Sequence, residues 1–272
     1  MTERGSPKTD QIPARRRTLI LEQVRLRGAA AIPDLAEAVG VSMSTIRRDL
    51  DAMTQQGMLE RTHGGALIRQ APTATFEPEN TIAAQTALPQ KAAIGREAAS
   101  RLTPGASVII DAGSTVLEAV RALIARDIAL TVVTNSLAAA HLCGSSRAIR
   151  TIVVGGVLRQ GSAVLSGEPG IGFLDRLHAD LCLLGAHAVT GTLVTESSVE
   201  GADIKRAMQA AARRTILLVD SSKFQHPAFC SVCRLEALSE VITDDGISAE
   251  ALATMREAGV TVTVVAAEEE AG

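Results

Sequence analysis

Two adjacent guanidinium groups, Arg47 and Arg48, follow a pair of hydroxyl side chains, Ser44 and Thr45, in a stretch with the apolar spacing of a helix. At ~100° per residue, Ser44, Arg47, Arg48 and Asp51 share a sector about 100° wide, opposite a stripe of Ile46, Leu50 and Met53. Arg forks reach guanine edges or phosphates, and Ser or Thr can hydrogen-bond to either, so this outward face suits the major groove of duplex DNA. Two arginines alone would fit a solvated helix face better; the spacing around them changes that weight.

A second set of small and polar residues follows successive apolar runs. It comprises Asp111-Ala112-Gly113-Ser114-Thr115, Thr134-Asn135-Ser136, Gly155-Gly156, Gly185-Ala186 and Asp220-Ser221-Ser222-Lys223. A Gly-Ser-Thr step at a helix start offers backbone N–H groups, hydroxyls and the positive helix end to an anion, and Lys205 or Lys223 adds a full charge. The expected occupant is a phosphate, with Asp111, Gly113, Ser114, Thr115, Thr134, Asn135, Ser136, Gly155, Gly156, Gly185, Lys205, Asp220, Ser222 and Lys223 as the candidate effector-binding residues.

The elements that must position the first set lie in residues 15–69, after a basic tail at 1–14. A helix is expected over residues 15–28, with Ile20, Leu21 and Val24 on one face and Gly28 as a stop. Pro33 suits the first turn of a second helix that buries Leu35 and Val39 and ends at Gly40. Within Val41-Ser42-Met43-Ser44-Thr45 a hydroxyl residue caps the third helix, which runs to about Gln56 and stops at Gly57. Ala36, Gly40 and Ile46 match helix-turn-helix spacing: small where helices cross, glycine in the turn, branched apolar in the second helix. Residues 58–68 read as two short strands around a Gly-Gly turn, a wing that would lay Arg61 and His63 against phosphate or a minor groove.

Prolines 72, 78 and 89 mark a linker at 70–90. From residue 91 to 265, short apolar runs such as Val108-Ile109-Ile110, Leu181-Cys182-Leu183-Leu184 and Ile216-Leu217-Leu218-Val219 alternate with helical patterns. That texture predicts a mainly parallel, doubly wound α/β domain, whose ligands bind beyond the carboxyl ends of the strands. Residues 266–272 form an acidic tail.

The run Val41-Ser42-Met43-Ser44-Thr45-Ile46-Arg47-Arg48-Asp49-Leu50, followed by Gly57-Met58-Leu59-Glu60-Arg61-Thr62-His63-Gly64-Gly65-Ala66, resembles the DeoR family of sugar-metabolism regulators. The resemblance spans roughly residues 15–245, with both domains in the expected order. It implies a winged helix-turn-helix with Ser42, Ser44, Thr45, Arg47, Arg48, Arg61 and His63 at the DNA, and a sensor domain similar in fold to ribose-phosphate isomerases. It further implies repression of a carbohydrate operon, relieved by a phosphorylated sugar or polyol. The competing class is a sugar-phosphate isomerase. Those enzymes carry acids where this chain has Leu184-Gly185-Ala186-His187 and Ile204-Lys205, and neither Leu184 nor Ile204 can titrate, so no enzyme activity is expected; His187, or Glu196 or Glu200 under a shifted alignment, are the alternative candidates.

Composition narrows the classes further. Residues 1–69 carry 11 Lys and Arg against 8 Asp and Glu, whereas the rest carry 16 against 22, so the small part is the basic one. There is no Trp or Tyr and only 4 Phe, too few aromatic platforms for single-strand binding. No export signal or membrane span is legible, and the 4 cysteines read as thiols of a cytoplasmic protein. Cys230-Ser231-Val232-Cys233 is a lone CxxC, short of a four-ligand zinc site, so neither metal nor cofactor is expected. A single recognition helix reads too few bases, which predicts a homodimer or homotetramer on paired half-sites.

Overall fold

A computed structural model describes residues 13–27, 29–55, 58–61, 65–67, 87–159 and 162–267. The chain divides into two compact units, residues 1–73 and 74–272.

In the first unit α1 (Pro13–Arg27) is followed by β1 (Ala29–Ala31), α2 (Ile32–Val39), α3 (Met43–Gln55), β2 (Glu60–Arg61) and β3 (Gly65–Leu67). Ile20 and Val24 of α1, Leu35 and Val39 of α2, and Ile46, Leu50 and Met53 of α3 form one buried core. Periodicity alone placed all seven. Gly40 ends α2 with φ of 72°, a left-handed conformation that glycine adopts without steric cost, and thereby turns the chain towards α3. α1 starts at Pro13, so the expected tail boundary at residue 14 falls inside a helix.

The wing has three strands rather than two, in the order β1-β3-β2, all antiparallel. β1 went unread because Ala29-Ala30-Ala31 carries no alternation; it is a strand only because β3 pairs with it. Gly65 lies within β3, opposite Ala31. His63, Gly28 and Gly57 lie outside the described residues.

The second unit begins with α4 (Leu88–Ser100), β4 (Ser107–Ile110), α5 (Ser114–Ala125), β5 (Leu130–Thr134), α6 (Leu137–Cys143), β6 (Ile149–Val153), the hairpin β7 (Val157–Leu158) and β8 (Leu165–Ser166), and α7 (Gly170–Leu174). Next come β9 (Leu181–Leu184), β10 (Ala188–Thr190), β11 (Leu193–Glu196), α8 (Val199–Ala210), β12 (Thr215–Leu218), β13 (Cys230–Arg234), β14 (Glu240–Asp244), α9 (Ala249–Glu257) and β15 (Thr261–Val265). Seven strands form one parallel sheet, in the order β15-β14-β12-β9-β4-β5-β6.

Successive side chains of a strand point to opposite faces, and the core divides accordingly. Val108, Ile110, Leu181 and Leu183 pack with Ile94 of α4 and Val116, Val120 and Leu123 of α5. Ile109, Cys182 and Leu184 face the other way, with Ala202 and Met208 of α8 and Met255 of α9. The doubly wound α/β architecture expected from the sequence is the one observed.

Besides the hairpin β7–β8 and the antiparallel β10-β11-β13 sheet, which the sequence does not predict, two elements differ in ways that bear on the site. α4 starts at Leu88, inside the stretch read as linker, with Pro89 in its first turn. β14 was overlooked because Glu240, Thr243 and Asp244 look like surface residues, yet the whole strand is buried. Partners offset that cost: Glu240 accepts from Arg101 Nη2 at 2.6 Å, and Asp244 accepts from the N–H groups of Ser221 and Gly246 at 2.6 and 3.0 Å. Among the described residues no helix is long and apolar enough to cross a membrane.

Candidate functional site

From β4 the chain winds outward through β5 and β6 on one side, and through β9, β12, β14 and β15 on the other. The carboxyl ends of β4 and β9 therefore border the switch point, where open α/β sheets hold their ligands. A cavity of about 80 Å³ lies there, lined by Asp111, Ala112 and Gly113 after β4, Asn135 after β5, and Arg159, Val164 and Ser166 of the β7–β8 hairpin. Glu196 at the end of β11, Ser198 at the N-cap of α8, and Gly201, Ile204 and Lys205 along the first two turns of α8 complete the wall.

At its base three buried charges meet. Lys205 Nζ hydrogen-bonds to Asp111 Oδ2, lies 3.4 Å from Glu196 Oε2 and donates to the Gly185 carbonyl at 3.1 Å. Asp111 Oδ2 also accepts from the Gly185 N–H at 3.0 Å. Burial works against a charged Lys205, but Asp111 and Glu196 outweigh it and hold the ammonium above the ordinary lysine range. Burial likewise works against the Glu196 carboxylate, yet Lys205 and the Ser197 N–H hold it below the ordinary glutamate range. Burial pushes the Asp111 carboxyl above its ordinary range, against the opposing pull of Lys205 and the Gly185 N–H.

Two helices open into the same space. α5 starts at Gly113 with no side-chain cap, and α8 starts at Ser198, whose Oγ accepts from the Gly201 N–H at 3.1 Å. First-turn N–H groups have no partner within a helix, so both ends are electropositive and suited to an oxyanion, with half-buried Arg159 alongside.

Of the sequence-selected effector residues, Asp111, Gly113, Asn135 and Lys205 line this cleft, and Gly185 braces Asp111 and Lys205 from beneath. Ser114 and Thr115 occupy the first turn of α5. Thr134 and Ser136 serve the chain itself: Thr134 Oγ1 accepts from the Ser136 N–H at 3.0 Å, and Ser136 Oγ caps α6 by accepting from Ala139 N at 3.2 Å. Gly155 and Gly156 are not among the lining residues. A Cβ on Gly156, whose φ is 143°, would stand 2.6 Å from the Ser166 carbonyl oxygen, so this glycine lets the chain pass close to β8.

Asp220, Ser222 and Lys223 also lie outside the cleft lining. They follow β12, which is two strands from β4, about 10 Å away at the usual strand spacing. Asp220 instead accepts from the Ser222 N–H at 3.2 Å and lies 3.9 Å from the buried Lys91. Expecting every strand end to serve one site ignored this lateral distance.

The sequence does not single out Arg159, Ser166, Ser198 and Gly201, and it offers Glu196 only as an acid for the competing enzyme class. The hydroxyl residues before α8 were a legible capping signal; nothing marked Arg159. The two positions at which an isomerase would carry its acids are apolar, as expected. Leu184 and Ile204 are indeed buried apolar residues, but Asp111 and Glu196 reach Lys205 from other strands. The cysteines of the CxxC are free and half-buried on β13, where burial pushes Cys233 up to about 11. Among the described residues no group of three or more His, Cys, Asp or Glu is placed to hold a metal ion.

In the first unit Ser42 caps α3, its Oγ accepting from Thr45 N at 3.2 Å and sharing hydrogen bonds with Ser44 Oγ and Thr45 Oγ1 at 2.9 and 2.8 Å. Ser44, Arg47 and Arg48 are exposed and Thr45 is half-buried. Asp49 points inward, accepting from Arg16 Nη2 at 3.2 Å and Arg17 Nε at 3.1 Å, which ties α3 to α1. Arg61 ends β2.

A winged helix-turn-helix joined in one chain to a doubly wound α/β unit with a polar switch-point cleft is the plan of a DNA-binding transcriptional regulator. Residues 16–71 match the family model of the DeoR-like helix-turn-helix domain, and residues 86–245 that of the DeoR C terminal sensor domain. The chain belongs to the DeoR family. It is 33% identical to the glycerol-3-phosphate regulon repressor of Haemophilus influenzae, covering 82% of this chain and 84% of that one. It is 32% identical to the L-fucose operon activator of the same organism, covering 83% and 90%. Among solved structures, ribose 5-phosphate isomerase A of Methanocaldococcus jannaschii is similar over 50% of this chain and 53% of its own, at 19% identity and a TM-score of 0.38.

Proposed function

We propose that this regulator represses a carbohydrate-metabolism operon and leaves its operator when a small phosphorylated sugar or polyol occupies the cleft between β4 and β9. One observation carries the reading: two helix N-termini and Arg159 gather at one cleft whose base holds the Asp111–Lys205–Glu196 cluster. The first group suits a phosphate and the second suits hydroxyls. The relatives' names, which refer to a glycerol-3-phosphate regulon and an L-fucose operon, point the same way. Because one relative is a repressor and the other an activator, the repressor sign is this reading's own commitment.

In this reading α3 enters the major groove with Ser44, Thr45, Arg47 and Arg48, Ser42 holds the start of that helix, and Arg61 and His63 serve the wing. A homodimer or homotetramer in the cytoplasm presents two heads to paired half-sites. The effector must favour the released arrangement by ~2.7 kcal/mol to lower operator affinity 100-fold. The experiment is operator binding by fluorescence anisotropy with increasing concentrations of individual sugar phosphates. Release by at least one phosphorylated compound, absent with its unphosphorylated sugar, is expected; release by neutral sugars alone overturns the reading.

One observation favours a second reading, a sugar-phosphate isomerase. Glu196 and Lys205 stand side by side in the cleft as a carboxylate and an ammonium, the pair of groups that proton transfer between adjacent carbons would need, although each holds the other in its charged form. Turnover of ribose 5-phosphate by the purified protein would establish it.

A further inference from the structure

Asn135 follows β5 in the wall of the cleft and is 1% exposed. Two hydrogen bonds tie it to Leu165. Its backbone carbonyl accepts from the Leu165 N–H at 2.9 Å, and its Nδ2 donates to the Leu165 carbonyl at 3.0 Å. Turning the amide over would set Oδ1 against that carbonyl, acceptor against acceptor, so the orientation of the side chain is fixed by its neighbour. Oδ1, at the other end of the amide, is buried and has no hydrogen-bond partner among the described residues. Buried acceptors are ordinarily satisfied, and one left open in the wall of a ligand cleft calls for a donor from the ligand.

The kind of donor follows from chemistry. A phosphate dianion or a carboxylate has no hydrogen to give, whereas a hydroxyl has one. The nearby carboxylates of Asp111 and Glu196, also in the lining, add further acceptors and would repel a second anion. We infer that Asn135 is a specificity-determining residue that accepts a hydrogen bond from an effector hydroxyl, so that the cleft selects phosphorylated polyols or sugars over phosphorylated compounds lacking that hydroxyl. This deepens the proposed effector reading and rests on it. A hydroxyl-reading site discriminates because the analogue without the group leaves the buried acceptor unpaired.

The test is calorimetry on the full-length protein with inorganic phosphate, a panel of short polyol and sugar phosphates, and their monodeoxy counterparts. Wild type should lose about 10- to 100-fold in affinity when the recognised hydroxyl is removed. Asn135→Ala should bind the hydroxylated and deoxy compounds alike. If Asn135→Ala fails to fold, which a melting curve reports, the comparison of each parent compound with its deoxy counterpart on wild type still decides. If Asn135→Ala weakens every compound by one common factor, or wild type binds each deoxy compound as tightly as its parent, Asn135 merely anchors the loop and the inference is overturned. If neither inorganic phosphate nor any phosphorylated compound binds at all, the effector reading falls first and this inference with it.

Discussion

Lys205 Nζ stands 3.4 Å from Glu196 Oε2 while also hydrogen-bonding to Asp111, so one ammonium is shared by two buried carboxyl groups. Removing it leaves both unpaired. Lys205→Met should destabilise the α/β unit by about 3–5 kcal/mol, the usual cost of breaking a buried pair from one side. Urea unfolding measures this, and a loss below ~1 kcal/mol would show that the cluster is hydrated rather than buried.

The same pair sets a pH dependence. Because the folded state holds Glu196 below its ordinary value of 4.5, the unfolded chain binds the proton more tightly, and stability from this group is full above that value. It should disappear as pH falls through the lower folded value. Lys205, held above its ordinary 10.5, contributes fully below that value and loses its contribution as pH rises through the higher folded one. The stability gap between wild type and Glu196→Gln should therefore be level near neutrality and shrink in acid. A gap that widens in acid contradicts the assignment.

Arg159 and Lys223 divide the two accounts of the anion site. Arg159→Ala should weaken binding of a sugar phosphate at least ~10-fold, the loss of one charge-assisted contact. Lys223→Ala, outside the cleft lining, should stay within about 3-fold, which is ~0.6 kcal/mol. Calorimetry on both variants decides, and the reverse order would restore the strand-end site read from sequence.

Asp49 and Arg47 lie two residues apart on opposite faces of α3, Asp49 buried and Arg47 exposed. Asp49→Ala removes the buried partner of Arg16 and should lower the melting temperature of the DNA-binding unit, reducing operator binding indirectly. Arg47→Ala should melt like wild type and still lose about 1–3 kcal/mol of operator affinity. Melting curves beside anisotropy titrations separate them; undiminished binding by Arg47→Ala and Arg48→Ala would remove α3 from the groove.

Much of this was legible before any coordinates. The stripe of Ile46, Leu50 and Met53, the turn at Gly40 and the alternation of Val108, Ile109 and Ile110 are local patterns, set by 3.6-residue and two-residue periods that a chain displays along its own length. They determined the helix-turn-helix, the doubly wound sheet and the exposed face that carries Arg47 and Arg48. Strand β14 was hidden because the partners that make Glu240 and Asp244 acceptable inside, Arg101 and the Ser221 N–H, are distant in sequence.

Only the tertiary structure decided which strand ends line the same cleft. Lys205 meets Asp111 across 94 positions, Asn135 is fixed by Leu165 across 30, and Lys223 is set aside by the lateral order of strands, which no local period records. Local signals report what each segment can become. Sheet order is settled by burying both faces of every strand at once, and that requirement brought Glu196 and Arg159 into the cleft while leaving Asp220 beside Lys91.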